Sequence, residues 1–143
     1  MTTETSLNET FLTEFIDDLY AEYDERLGLV RRDLLALEAF VNQPHLDKSR
    51  LDGLLRNLHT LKGLSGTINL KEAEQLAHQL ENYLRALRQE QTSLSSEGME
   101  ALITGVKILE QVIAAYQAQS SLPDTASVVA ALTTVTAGTP LPG

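Results

Sequence analysis

His59 and Lys62 stand in a short run that also holds Gly63 and Gly66, in a chain that otherwise carries little reactive chemistry. A neutral imidazole nitrogen at a helix surface can attack phosphorus and hold the phosphoryl group as a phosphoramidate, provided that in-line approach is open. With about 3.6 residues per turn, Gly63 lies one helical turn beyond His59 and Gly66 two turns beyond, so neither sets a side chain over the imidazole's flank. Each interior glycine costs roughly 1 kcal/mol of helix stability relative to alanine, so two beside one histidine call for either a packing reason or an access reason, of which access for a large partner is the better fit. Lys62, three residues on, projects from the neighbouring turn and offers a flexible point charge to an added phosphate.

Nothing in the chain reads as a nucleotide site. There is no Gly-x-x-x-x-Gly-Lys-Ser/Thr loop, no dinucleotide fingerprint and no kinase catalytic loop, so a phosphoryl group has to come from another domain and the chain itself is not expected to be an enzyme. Cysteine is absent, which removes disulfides, thiolate catalysis and cysteine metal sites together. His78 and Glu81 stand in the reverse of the order that di-iron bundles need, without a second copy, so no metal and no other cofactor is expected. The net charge of -9 disfavours nucleic acid and anionic membrane. With no secretory leader and no run long enough to span a bilayer, the expected partners are proteins and the expected location is the cytoplasm.

The elements that must position these residues follow from apolar periodicity. Ser6 and Glu9 read as a capping box, after which Phe11, Phe15, Leu19, Tyr23, Leu27, Val30, Leu34 and Leu37 recur at helical steps until Pro44. A second helix is expected over 47–65 with Leu51, Leu54, Leu55, Leu58 and Leu61 inward, which leaves His59 about 110° around the wheel, at the edge of the buried face. Gly66 and Thr67 mark its break, and Asn69 with Glu72 reads as the cap of a third helix carrying Leu70, Ala73, Leu76, Leu80, Tyr83, Leu84 and Leu87 inward. A fourth helix starts near Ser95 or Ser96 and turns Met99, Leu102, Ile103, Val106, Leu109, Val112, Ile113 and Tyr116 inward. Four amphipathic helices with short connections predict an all-α, antiparallel up-down bundle over 1–120. Residues 121–143, rich in Ala and Thr and ending in Pro and Gly, read as a tail or linker. A short fifth helix over 124–135 is the alternative for its first half.

The run His59-Thr60-Leu61-Lys62-Gly63, followed by Ser65-Gly66, resembles the motif of the histidine phosphotransfer (HPt) domain. Ala77-His78-Gln79-Leu80-Glu81-Asn82-Tyr83-Leu84-Arg85 resembles the third-helix signature of the amino-terminal HPt domain in chemotaxis-type, CheA-like histidine kinases. The similarity covers 11–119 and is specific in helices two and three. It implies that His59 is the phosphoacceptor and Lys62 its charge partner. It implies further that Glu81 hydrogen-bonds the other ring nitrogen and fixes the tautomer, and that His78 corresponds to the family's third-helix histidine. The partners so implied are a histidine kinase catalytic domain and a response-regulator receiver domain, the latter carrying the magnesium ion, with the isolated domain a monomer. Two departures stand out: the stretch from Phe11 to His59 is longer than usual, and Leu64 replaces a small residue after the Lys-Gly pair. The composition of the tail suggests the amino-terminal module of a larger sensor kinase, against a free-standing HPt protein. The reading from a different class is a helical interaction scaffold whose histidine is never phosphorylated.

Overall fold

The structure, a computed structural model, describes residues 3–138. Five α-helices follow one another: α1 Thr3–Leu37, α2 Lys48–Thr67, α3 Lys71–Arg88, α4 Ser96–Gln117 and α5 Ala126–Thr136, with a 3-10 turn at Glu38–Phe40 closing α1. Asp47 caps α2 by accepting from the Arg50 amide at 3.2 Å, and Ser95 caps α4 by accepting from the Gly98 amide at 3.0 Å.

Two expected caps are absent for physical reasons. The backbone is already helical at Thr3, so Ser6 lies inside α1 rather than at its cap. Asn69 closes α2 instead of opening α3. It adopts φ 58°, its amide reaches the Gly66 carbonyl at 3.1 Å, and the Leu70 amide reaches the Ser65 carbonyl at 2.9 Å. That pair of bonds satisfies carbonyls left open at the helix end, and asparagine tolerates the left-handed conformation better than most residues. Helix α2 therefore continues through Gly66 and Thr67, and Leu70 sits at the start of α3 without a side-chain cap bond.

Polar pairs between helices fix their directions. Tyr23 pairs with Ser65 and Asp33 with Arg50, so α1 and α2 run antiparallel; Asp52 with Arg88 and Lys62 with Glu81 do the same for α2 and α3. Helix α4 packs on α3 and α1, and α5 lies against α3 and α4 through buried Val128 and Leu132. The shared core includes Leu27, Leu54, Leu58, Leu61, Leu80, Leu84, Leu102 and Leu109. Tyr23 is fully buried, and its hydroxyl meets Ser65 Oγ at 2.9 Å while Ser65 donates to the Leu61 carbonyl at 2.8 Å. Buried Asp33 is held by Arg50 at 3.0 Å, so the carboxylate is not left unpaired in the core.

Four residues expected inward face solvent. Phe11 and Phe15 are 69% and 44% exposed, because α1 outruns its neighbours: Tyr23 already meets Ser65 near the end of α2, and among the described residues nothing covers the turns before Leu19. Ile103 and Tyr116 on α4 are likewise about two-fifths exposed, at 41% and 40%. Helical periodicity places a residue on a face, and only the length of the neighbouring helix decides whether that face is covered.

The α3–α4 corner yields two predictions. Tyr83 is fully buried and donates to the Ser93 carbonyl at 2.9 Å, and a Cβ on Gly98 would lie 2.7 Å from its Cζ and 3.1 Å from its Cε2. Helix propensity alone would favour alanine at Gly98 by about 1 kcal/mol, but the ring cannot move without breaking its hydrogen bond and repacking the core. Gly98→Ala is expected to lower unfolding free energy by about 1–2 kcal/mol in urea titrations, and an unchanged or raised midpoint would contradict the packing account.

Burial pushes the Tyr83 hydroxyl from its ordinary 10.0 up to about 12. A raised folded value means that the contribution is complete below pH 10.0 and is lost as pH rises towards about 12, because the unfolded chain gives up this proton first. Stability should therefore fall more steeply across that interval in the wild type than in Tyr83→Phe, as followed by urea midpoints at stepped pH.

Candidate functional site

Helix α2 sets His59 one residue past the buried Leu58, and its side chain is 72% exposed. Its Nδ1 faces α3, where Glu81 is 2% exposed and presents Oε2 at 3.5 Å. This leaves Nε2 as the nitrogen directed away from the carboxylate. Lys62, one turn along the same helix, places Nζ 2.8 Å from Glu81 Oε1, outside hydrogen-bond angles, so that oxygen is met by charge rather than by a directed N–H. A carboxylate buried to this degree needs compensating charge, and α2 supplies it from the residue that the sequence marks as the phosphate's partner.

Arg85 was not singled out by sequence reasoning. Its Nη2 donates to Glu81 Oε2 at 3.4 Å, and its Nη1 donates to Asn82 Oδ1 at 3.3 Å. The signal was legible in principle, since Arg85 follows Glu81 by four residues on one helix face. Two buried polar residues of α2, Asn57 and Ser65, were missed as well. Asn57 accepts from Arg26 at 3.1 Å and, with Ser65, ties the histidine-bearing helix to α1.

The two glycines differ in their surroundings. A Cβ on Gly63 would meet nothing within 4 Å, so the turn beyond His59 is open, whereas one on Gly66 would come 2.7 Å from Glu74 Oε2 of α3. Leu64 is part-buried against the core instead of lying over the imidazole. His78 is exposed on α3, its side chain makes no hydrogen bond or ion pair among the described residues, and it lines an open depression with Lys62, Lys71, Glu74 and Gln75. The structure thus brings His59, Lys62 and Glu81 together, adds Arg85, and leaves His78 beside them. Among the described residues no cluster of three or more His, Cys, Asp or Glu is arranged to hold a metal ion, and no helix is long and apolar enough to cross a membrane.

Fold and site together define a helical bundle that presents one accessible imidazole, backed by a buried carboxylate, to whatever approaches from solvent. The sequence pattern of the Hpt domain family matches residues 14–134, and the chain belongs to that family. It is similar to the chemotaxis protein CheA of Halobacterium salinarum, 26% identical over 107 residues, which is 75% of this chain and 15% of the relative. CheA of Klebsiella aerogenes is 28% identical over 116 residues, 81% of this chain and 17% of the relative. A solution structure of the histidine phosphotransfer domain of CheA superposes with a TM-score of 0.70 at 25% identity, covering 88% of this chain and 91% of that one. The chain spans only about one-sixth of the length of the curated relatives it matches, 15% and 17% in these two cases.

Proposed function

We propose that the chain is a phosphocarrier in which His59 accepts a phosphoryl group from an ATP-binding histidine kinase domain and relays it to an aspartate on a response-regulator receiver domain. The single observation that carries this reading is the exposed imidazole with Nδ1 turned to buried Glu81 and Nε2 turned away. A carboxylate at Nδ1 favours the tautomer with its proton there and leaves the Nε2 lone pair free. That lone pair forms the N–P bond as the bond from the γ-phosphorus to its bridging oxygen breaks, with the electron pair leaving on ADP. The proton stays on Nδ1, and the positive charge gained by the ring faces Glu81, where it is stabilised through the transition state. Lys62 then meets the phosphoryl oxygens at the same turn.

Gly63 keeps that side of α2 low for a docked receiver, Gly66 extends the side-chain-free strip to where it meets Glu74, and His78 lies beside the path of approach. The chain needs no metal or cofactor of its own in this scheme. The same reading makes it a monomeric module of a larger CheA-like kinase in the cytoplasm, with α5 packed on the bundle rather than leading away from it. The identities to CheA proteins several times its length support that assignment. Incubation with ATP and a CheA-type kinase catalytic domain should give acid-labile, alkali-stable phosphate on the chain, which chases onto a receiver domain. A folded chain that takes no such label would remove the basis for the reading.

One feature favours a second reading. Leu7, Phe11, Leu12, Phe15 and Ile16 are all exposed on α1, and no lysine or arginine precedes Arg26, so this end suits contact with an apolar, basic surface. A helical scaffold of that kind would bind its partner equally well after His59→Ala, whereas a phosphocarrier would bind a receiver and fail in transfer.

A further inference from the structure

Glu81 Oε2 is shared by two donors, and neither closes on it. Arg85 Nη2 stands at 3.4 Å and His59 Nδ1 at 3.5 Å, each well beyond the roughly 2.8 Å of a good charge-assisted bond. The other oxygen, Oε1, is turned to Lys62 Nζ at 2.8 Å, so Oε2 is the oxygen that His59 and Arg85 both face. The Arg85 side chain is 46% exposed and pinned on its other branch by Asn82, so it can release Glu81 into solvent at little cost to the fold.

We propose that Arg85 is a positioning residue that restrains the relay: it holds Glu81 Oε2 back from His59 Nδ1 and so weakens both the Nδ1–H tautomer and the stabilisation of the ring as Nε2 attacks phosphorus. The effect on phosphoryl uptake rests on His59 being the phosphoacceptor, whereas the effect on the imidazole does not. A purely structural salt bridge between residues four apart on one helix would contribute to stability alone and would leave the tautomer unchanged. A docking role for the guanidinium would make its removal slow the reaction. The restraint has the opposite sign, and removing Arg85 speeds the reaction.

The test compares wild type, Arg85→Ala and Arg85→Lys in the full chain. The first readout is the 15N NMR signature of the His59 ring in the unphosphorylated protein under conditions where the ring is neutral. The second is the rate of labelling by a CheA-type kinase catalytic domain with ATP. Arg85→Ala should raise the ratio of the Nδ1–H to the Nε2–H tautomer and the labelling rate by about threefold to fivefold, the equivalent of losing one partly exposed ion pair. Arg85→Lys, which keeps a cation at the position, should return both values towards the wild type. An unchanged or reduced Nδ1–H fraction in folded Arg85→Ala overturns the proposal, and so does a slower labelling rate. A raised Nδ1–H fraction with no labelling of any form would support the positioning role and overturn the phosphocarrier reading instead.

Discussion

His59→Gln is expected to abolish phosphate incorporation while leaving the bundle folded. Glutamine matches the polarity and approximate reach of the imidazole, and the side chain it replaces is 72% exposed, so little packing is lost. Exposed substitutions of this kind change stability by about 0.5 kcal/mol or less, or roughly 2 °C in melting temperature for a chain of this size. The loss of labelling should be complete, because no other nitrogen nucleophile shares the arrangement: His45 is exposed in the α1–α2 connection, and the His78 side chain has no hydrogen bond or ion pair among the described residues. Radiolabel from ATP with a kinase catalytic domain, read beside a thermal melt, decides it. Label retained by His59→Gln at wild-type level would move the phosphoacceptor elsewhere.

Glu81→Gln should give the second-largest effect, a fall of about 10- to 100-fold in the labelling rate, the scale on which an orienting partner of a reactive imidazole commonly acts. The amide keeps the carboxylate's shape but removes the charge that faces Nδ1 at 3.5 Å and Lys62 at 2.8 Å. Stability should change little, since taking a buried charge away removes a desolvation cost as well as an attraction, and Lys62 and Arg85 can both reach solvent. Single-turnover labelling at saturating kinase separates the chemical step from docking. A rate within about twofold of wild type there would mean that Glu81 is a structural counter-ion to Lys62 and no more. Glu81→Gln and Arg85→Ala are thus expected to move the same rate in opposite directions, which a general loss of folding could not do.

How much of this was legible differs from residue to residue. The first four helices were readable because apolar residues recur at helical spacing along them, and Leu51, Leu54, Leu58 and Leu61 are all buried as their spacing implies, whereas α5, packed through Val128 and Leu132, lies in the stretch that reads as a tail with a short helix only as the alternative. Phe11 and Phe15 carry the same spacing and are exposed, since periodicity says nothing about how far the neighbouring helices extend. Asn69 has the composition of a helix start and serves as a helix stop, because one residue type satisfies either end and the backbone conformation decides between them. In the site, the histidine, lysine and glutamate stood out through a local motif on each of two helices. Arg85 did not, because a cation four residues after a glutamate is common on helix surfaces and only burial of that glutamate makes the pair consequential.

By itself the sequence determined the helical class, the order of the helices, the candidate nucleophile and the absence of any thiol chemistry, all of which depend on residue type and local spacing. Only the tertiary structure decided that Glu81 is buried, that it turns one oxygen to Lys62 and the other to both His59 and Arg85, and that the turn at Gly63 is open. It also decided that α1 carries an apolar face past the end of the bundle. These are properties of how α1, α2 and α3 abut. Burial, and hence the strength of a charge's interactions, is set by residues that are distant in the chain and adjacent in space.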